Sequence, residues 1–432
     1  MKLFRTVLFW FHLAAGLTAG IVVVIMSVTG VLLTYQRQMQ YWADTRHYGV
    51  EAPVGAERLP AAQIVAAAQA VDPSTAATTI TVRAERSEPA AVALGSRTIY
   101  VNPYTAQVFG EPTGTGLRAF FSEMVVWHRY LAMSGDSRPF GRAITGAANL
   151  LFLFIVLSGL YLWWPRSISW GQFRNVLWFR SGLRPKARNF NWHNVLGFWS
   201  ALPLALVVYS GVIISYPWAT NMVYRVMGEE PPALAAGRAG GPGRAGGPGG
   251  AGEGRGGGGR GAVEGGRGGN TRGGEAAAPA PASVASLPAT ESAPQPRVVD
   301  ADLILLRAMA YEPAWTILAA RLSPLPTDTT TVTVDRGDGG QPHLRGTLTL
   351  DLATGDVRRW DGFSTQTAGR RARSFLRFAH TGEVGGLTGQ TIAGLVSAAS
   401  VVLVYTGFAL SWRRLREWWG RRRSGAAVRT TA

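Results

Sequence analysis

The sequence of 432 residues contains no cysteine. That excludes disulfides, iron–sulfur clusters, thiolate zinc sites and covalently attached c-type haem. Acidic residues are scarce: 26 Asp and Glu stand against 43 Lys and Arg, for a net charge of +17. In a soluble protein such an excess points to nucleic acid. Here the missing acids are missing locally. Segment 166–190 carries Arg166, Arg174, Arg180, Arg184, Lys186 and Arg188 with no Asp or Glu, and the tail after Trp412 is similarly basic. Charge is absent altogether from Asn191 to Tyr216, a run long enough to cross a bilayer. These basic runs are read as topology and lipid contact, with no nucleic acid among the partners.

What is present repeats. His193 is followed by Gly197 and then by Ser210-Gly211; His12 is followed at the same intervals by Gly16 and Thr29-Gly30. Gly141, Gly146 and Gly159 precede LYLWWPR, and Gly389, Gly394 and Gly407 precede FALSWRR with identical spacing. Such agreement predicts a doubled plan. The expected fold is membrane α-helical with α+β extramembrane domains: four transmembrane helices in two pseudo-repeats, each with an outer domain.

In order, spans are expected at 6–35, 141–164, 191–216 and 387–412. The first is too long for a signal-peptide core and is read as uncleaved. Outer α/β domains are expected at 36–116 and 297–369, from strand patterns such as TTITVRAE and TVTVDR and a turn at Asn102-Pro103. An amphipathic helix at 117–135 holds His128, and a segment at 370–386 holds His380. Residues 165–190 form a cytoplasmic loop and 413–432 a basic cytoplasmic tail. Residues 229–296, rich in Gly, Arg and Pro, bury too little apolar surface to fold and read as a disordered insertion. The positive-inside rule puts both termini in the cytoplasm and the outer domains in the periplasm, across a bacterial inner membrane.

Ionisable residues at membrane depth mark function. His12 and His193 belong at the cytoplasmic edge, His128 and His380 at the outer edge, so depth permits only these two pairings. Two neutral imidazoles on facing helices suit the axial positions of a b-type haem, which predicts two haems. Gly16 and Gly197 would clear space for a porphyrin face, or simply allow close helix packing. Zinc or copper is disfavoured, since no carboxylate or thiol accompanies either pair. The two irons would stand on the order of 15–20 Å apart. Trp10, Trp127, Trp192, Trp199 and Phe198 either line the gap or belong to interfacial belts. Arg5, Arg129 and Arg377 are candidate partners for haem propionates.

The motifs WFHLAAG, WHRYL, LSGLYLWWPR, NWHNVLG and AHTGEVGGLTGQ leading to TGFALSWRR resemble those of the PepSY-associated transmembrane proteins. That family includes bacterial inner-membrane ferric-siderophore reductases. The resemblance covers nearly the whole chain except the Gly/Arg insertion. It implies PepSY-like outer domains, haem bound by His12, His193, His128 and His380, and reduction of a ferric siderophore or other iron chelate outside. No nucleotide-binding domain fits the short cytoplasmic segments, so the donor would be quinol or a separate reductase. The alternative is a non-enzymatic membrane protein that binds peptide or regulates a partner. A permease is disfavoured, because no span carries a buried acid or a broken helix.

Overall fold

A computed structural model describes residues 2–53, 55–164, 170–232, 300–322 and 328–430. The Gly/Arg-rich stretch expected at 229–296 lies outside the described residues from position 233 onward, as does 165–169 of the basic loop.

Four long helices form the membrane part: α1 (Lys2–Leu33), α5 (Arg138–Trp163), α7 (Pro185–Ser215) and α11 (Gly386–Thr430). Their apolar windows have mean hydropathies of 2.3, 2.1, 1.8 and 1.9. Helix α1 packs on α5 and α11, and α7 packs on the same two, so the four close into a ring. The outward faces are as apolar as the inner ones: Leu17, Ile21, Leu157, Leu202, Leu206 and Leu395 are all exposed. In water these side chains would stay unburied and costly; in lipid they face a solvent of their own kind. Small or hydroxylated residues mediate the close contacts inside the ring, such as the buried Ser27–Ser400 pair at 2.6 Å.

Shorter helices flank the bundle. These are α2 (Gln36–Thr45), α4 (Thr115–Tyr130), α6 (Trp170–Leu177), α8 (Pro217–Val226) and α10 (Ala368–His380). Helix α4 lies against α1 and α5, while α10 lies against α7 and α8. The buried Asp44 carboxylate accepts from Arg118 and so ties α2 to α4.

The remaining elements build one antiparallel sheet. Helix α3 (Ala61–Gln69) precedes β1 (Ala77–Arg83), β2 (Ala90–Leu94), β3 (Arg97–Val101) and β4 (Val108–Gly110). Helix α9 (Ala301–Tyr311) precedes β5 (Ile317–Arg321), β6 (Thr329–Asp335), β7 (Arg345–Asp351) and β8 (Val357–Gly362). The strand order is β4-β3-β2-β1-β5-β6-β7-β8. The two outer segments, expected as separate domains, are therefore halves of one sheet. The reason is edge pairing: β1 and β5 align antiparallel from Thr79↔Arg321 to Arg83↔Ile317, which removes an exposed edge from each half.

Period-two patterning decides which face is covered. Ile80, Val82, Val92, Ile99, Leu318, Val332, Leu348 and Leu350 point to one side and meet Ile64, Ala68, Ile304 and Ala308 of the two helices. Each large aliphatic buried there contributes about 1.5–3 kcal/mol. The helices are joined as well: the Asp302 carboxylate of α9 accepts from the Ala61 and Ala62 amides at the start of α3. Matching turns close the two halves. Asn102 Oδ1 accepts from Tyr104 and Thr105, and Asp351 Oδ1 accepts from Ala353 and Thr354.

Candidate functional site: two histidine pairs in the bundle

Each of the four histidines expected at the membrane edges is held by its Nδ1 atom. His12 meets Ser158 Oγ at 2.9 Å, and His193 meets Thr406 Oγ1 at 2.9 Å. His128 meets Thr29 Oγ1 at 3.0 Å. His380 meets the Val207 carbonyl at 2.8 Å and Ser210 Oγ at 3.4 Å.

The donor direction follows from the hydroxyls' other bonds. A hydroxyl has one proton. Ser158 donates to the Ile155 carbonyl, Thr406 to Val402, Thr29 to Ile25 and Ser210 to Val207. With that proton spent on the helix backbone, each hydroxyl can only accept from the imidazole. A carbonyl can only accept in any case, so the Val207 contact gives the same answer for His380. A neutral imidazole that donates from Nδ1 in this way leaves Nε2 unprotonated, as a metal ligand must be.

The residue after each hydroxyl is glycine, and the ring edge lies over it. A Cβ at Gly159 would lie 3.2 Å from His12 Cε1, and one at Gly211 would lie 3.1 Å from His380 Cε1. The corresponding distances are 3.6 Å for Gly30 to His128 and 3.7 Å for Gly407 to His193. The arrangement crosses helices. Helix α1 carries His12 of one cluster and Thr29-Gly30 of the other; α7 carries His193 and Ser210-Gly211. From residue 12 to residue 29, α1 rises about 25 Å, which separates the clusters along the bundle.

In the outer cluster the His128 and His380 ring centroids are 6.2 Å apart, with planes at 62°. Metal–nitrogen bonds of about 2.0–2.1 Å, plus roughly 1.1 Å from ring nitrogen to ring centre, put imidazoles on opposite sides of one metal about 6.2–6.4 Å apart. The pair has the spacing to share one metal.

In the inner cluster His12 and His193 line one cavity of about 880 Å³. Its volume lies in the range of ligand pockets. Phe9, Trp10, Leu160, Phe198, Phe408 and Leu410 make its walls largely apolar. Gly16 faces this space with nothing within 4 Å of where a Cβ would be, while Gly197 has only Leu403 Cδ2 at 3.7 Å. Arg5 and Arg414 add positive charge to the lining, while Lys186 is paired there with Glu417 at 2.7 Å. The Arg5 guanidinium also donates to the Leu162 carbonyl, and Arg414 lies 4.7 Å over the Trp10 ring.

Of the aromatics singled out from sequence, Trp10 and Phe198 line this cavity, and Phe198 stacks on Trp163 at 4.3 Å. Trp127, Trp192 and Trp199 are exposed, as interfacial residues are. Arg5 reaches the inner cavity. Arg129 and Arg377 lie beside Tyr130 and Phe378, near the ends of the helices that carry His128 and His380.

Sequence reasoning missed the hydroxyl partners. Their signal was present as four Ser/Thr-Gly dipeptides, at 29–30, 158–159, 210–211 and 406–407. It went unused as chemistry because a hydroxyl on an apolar helix ordinarily bonds its own backbone. Only the fold shows that each one also faces a histidine from another helix.

Four apolar helices closed into a ring, with an antiparallel sheet outside it, define a multi-pass membrane protein. The chain belongs to the family of the PepSY-associated TM region, whose model matches residues 9–414. Comparison with curated proteins found none that matches the chain.

Proposed function

We propose that the protein is a transmembrane di-haem b oxidoreductase that passes electrons across the inner membrane to a periplasmic ferric chelate, such as a ferric siderophore. The observation that carries this reading is the pair of clusters in which each imidazole has its Nδ1 in a hydrogen bond, so that Nε2 is the nitrogen left for a metal. Two imidazoles alone do not complete a metal site. Among the described residues no group of three His, Cys, Asp or Glu could hold a metal. A zinc site wants three or four protein ligands. A metal that brings its own four equatorial donors needs only two more, and that favours a metalloporphyrin.

His12 and His193 would hold the inner haem, His128 and His380 the outer one. When bound, haem supplies a one-electron iron(III)/iron(II) couple. The chain does the rest. The hydroxyls of Ser158, Thr406 and Thr29, and for His380 the Val207 carbonyl, keep the protons on Nδ1, so that Nε2 is the ligating atom. Gly16 leaves room beside the inner pair, and the apolar walls exclude water. Arg5 and Arg414 suit the carboxylates of a porphyrin. The two clusters stand towards opposite ends of the bundle, as a path across a roughly 30 Å apolar layer requires.

The orientation follows from charge. The basic segment 166–190 and the tail after Trp412 belong in the cytoplasm, which puts the sheet in the periplasm. The matching element orders of the two halves support a pair of pseudo-repeats. Each iron(III) takes one electron, so a quinol donor, giving two electrons and two protons, serves two ferric ions; a separate cytoplasmic reductase is the other donor class. Reduction weakens the grip of hard oxygen ligands on iron and releases it.

Spectra of the full chain purified after haem-replete expression test the reading. Low-spin b-type bands with two haems per chain are expected. A colourless protein would leave only a membrane-anchored scaffold that binds peptide or restrains a partner.

A further inference from the structure

The four histidines are not held in the same way. Three give Nδ1–H to a hydroxyl: His12 to Ser158, His193 to Thr406 and His128 to Thr29, at 2.9–3.0 Å. His380 gives it chiefly to a backbone carbonyl, Val207 at 2.8 Å, with the Ser210 hydroxyl at 3.4 Å. The inner pair therefore depends on two side-chain acceptors. The outer pair depends on one side chain and one main-chain group that no substitution removes.

The acceptor matters because a hydrogen bond from the remote ring nitrogen raises the basicity of the ligating one. A more basic imidazole favours the higher oxidation state of the metal it binds. Each hydroxyl is itself fixed by donation to its own helix one turn back, so it cannot swing away without breaking a backbone-directed bond. The glycine that follows leaves the ring edge free to settle against the helix.

We propose that Ser158, Thr406 and Thr29 are positioning residues that orient the ligating imidazoles and lower the reduction potentials of the bound haems, with the inner site more dependent on side-chain hydroxyls than the outer. This rests on the proposed haem reading and adds to it which residues set the potentials.

The test is an optical redox titration of the full-length, haem-loaded protein, with electron paramagnetic resonance of the oxidised form reporting ring orientation. In Ser158→Ala/Thr406→Val the inner midpoint should move positive, the inner low-spin signal should change, and inner haem should be retained roughly 10–100-fold less tightly. The outer midpoint should stay where it was. Thr29→Val should move only the outer midpoint. Ser210→Ala should move it least, because the Val207 carbonyl remains. Ser158→Thr/Thr406→Ser keeps both hydroxyls and should leave the inner midpoint at the parent value, which separates the loss of the acceptors from general damage to the fold. Haem-loaded variants whose midpoints and signals match the parent protein would overturn this inference alone. A parent protein without haem would overturn the proposed function and this inference with it.

Discussion

The two ends of the bundle use one local grip in two settings. At both ends a histidine from one helix meets a Ser/Thr-Gly dipeptide on another. At the inner end the rings border an 880 Å³ cavity whose wall at Gly16 is open. At the outer end the rings lie within 6.2 Å of each other, and their helices, α4 and α10, lie against the bundle from outside. The comparison teaches that orientation of a ligand is a local matter, which a dipeptide can specify. The room around it belongs to the whole bundle.

The strongest way to break the comparison is to remove one histidine at each end. On the proposed di-haem reading, His193→Ala should cost about half of the bound haem and His380→Ala the other half, each leaving the remaining site spectrally intact. Haem quantified per chain checks this. Loss of both haems from either variant would show that the ends are not independent. Filling the inner space is nearly as severe: Gly16→Phe should abolish inner haem alone, whereas Gly16→Ala, with open space before it, should be tolerated.

A subtler contrast lies in the dipeptide glycines. At Gly211 an added methyl would sit 3.0 Å from Asn149 Nδ2 and 3.1 Å from the His380 ring, both tighter than ordinary contact. At Gly407 it would sit 3.7 Å from the His193 ring, which is ordinary. Gly211→Ala should displace the outer ring and weaken outer haem by roughly tenfold or more, while Gly407→Ala should leave inner haem in place. Haem retention during dilution reads the difference.

The smallest expected effect lies in the sheet, where the residues capping two matching turns differ by one charge. Asn102 and Asp351 build the same turn. Hydrogen bonding from Arg358 holds the Asp351 carboxyl down at about 2, below its ordinary value of 3.8. A depressed folded value means this stabilisation is complete above about pH 3.8 and lost as pH falls through about 2. The turn at Asn102 carries no such dependence. Asp351→Asn should therefore slightly flatten acid unfolding of the sheet, measured by circular dichroism between those pH values, and leave neutral-pH stability little changed because its partner Arg358 is exposed to solvent.

Much of this was legible beforehand. Runs such as Asn191 to Tyr216 can only be satisfied in lipid as helices, because every backbone polar group must pair internally. Alternation in TVTVD fixed β6 with Val332 and Val334 inward. Depth grouped His128 with His380, whose ring centroids stand 6.2 Å apart, and His12 with His193, which line one cavity. The joining of the halves into a single sheet was not legible. Nothing in ATTITVR or ILAAR distinguishes an edge strand from a central one, since the pairing depends on which other edge lies beside it. The Ser/Thr-Gly partners were visible as letters and opaque as contacts, because periodicity describes one helix at a time.

By itself the sequence determined the four spans and the four histidines carried on or just before them, because hydropathy and helical spacing act along the chain. Tertiary structure decided which hydroxyl faces which imidazole, which ring nitrogen stays bare, how much space surrounds each pair and how the two half-sheets meet. Those are relations between segments far apart in the chain, 213 positions for His193 and Thr406, and only packing brings them together.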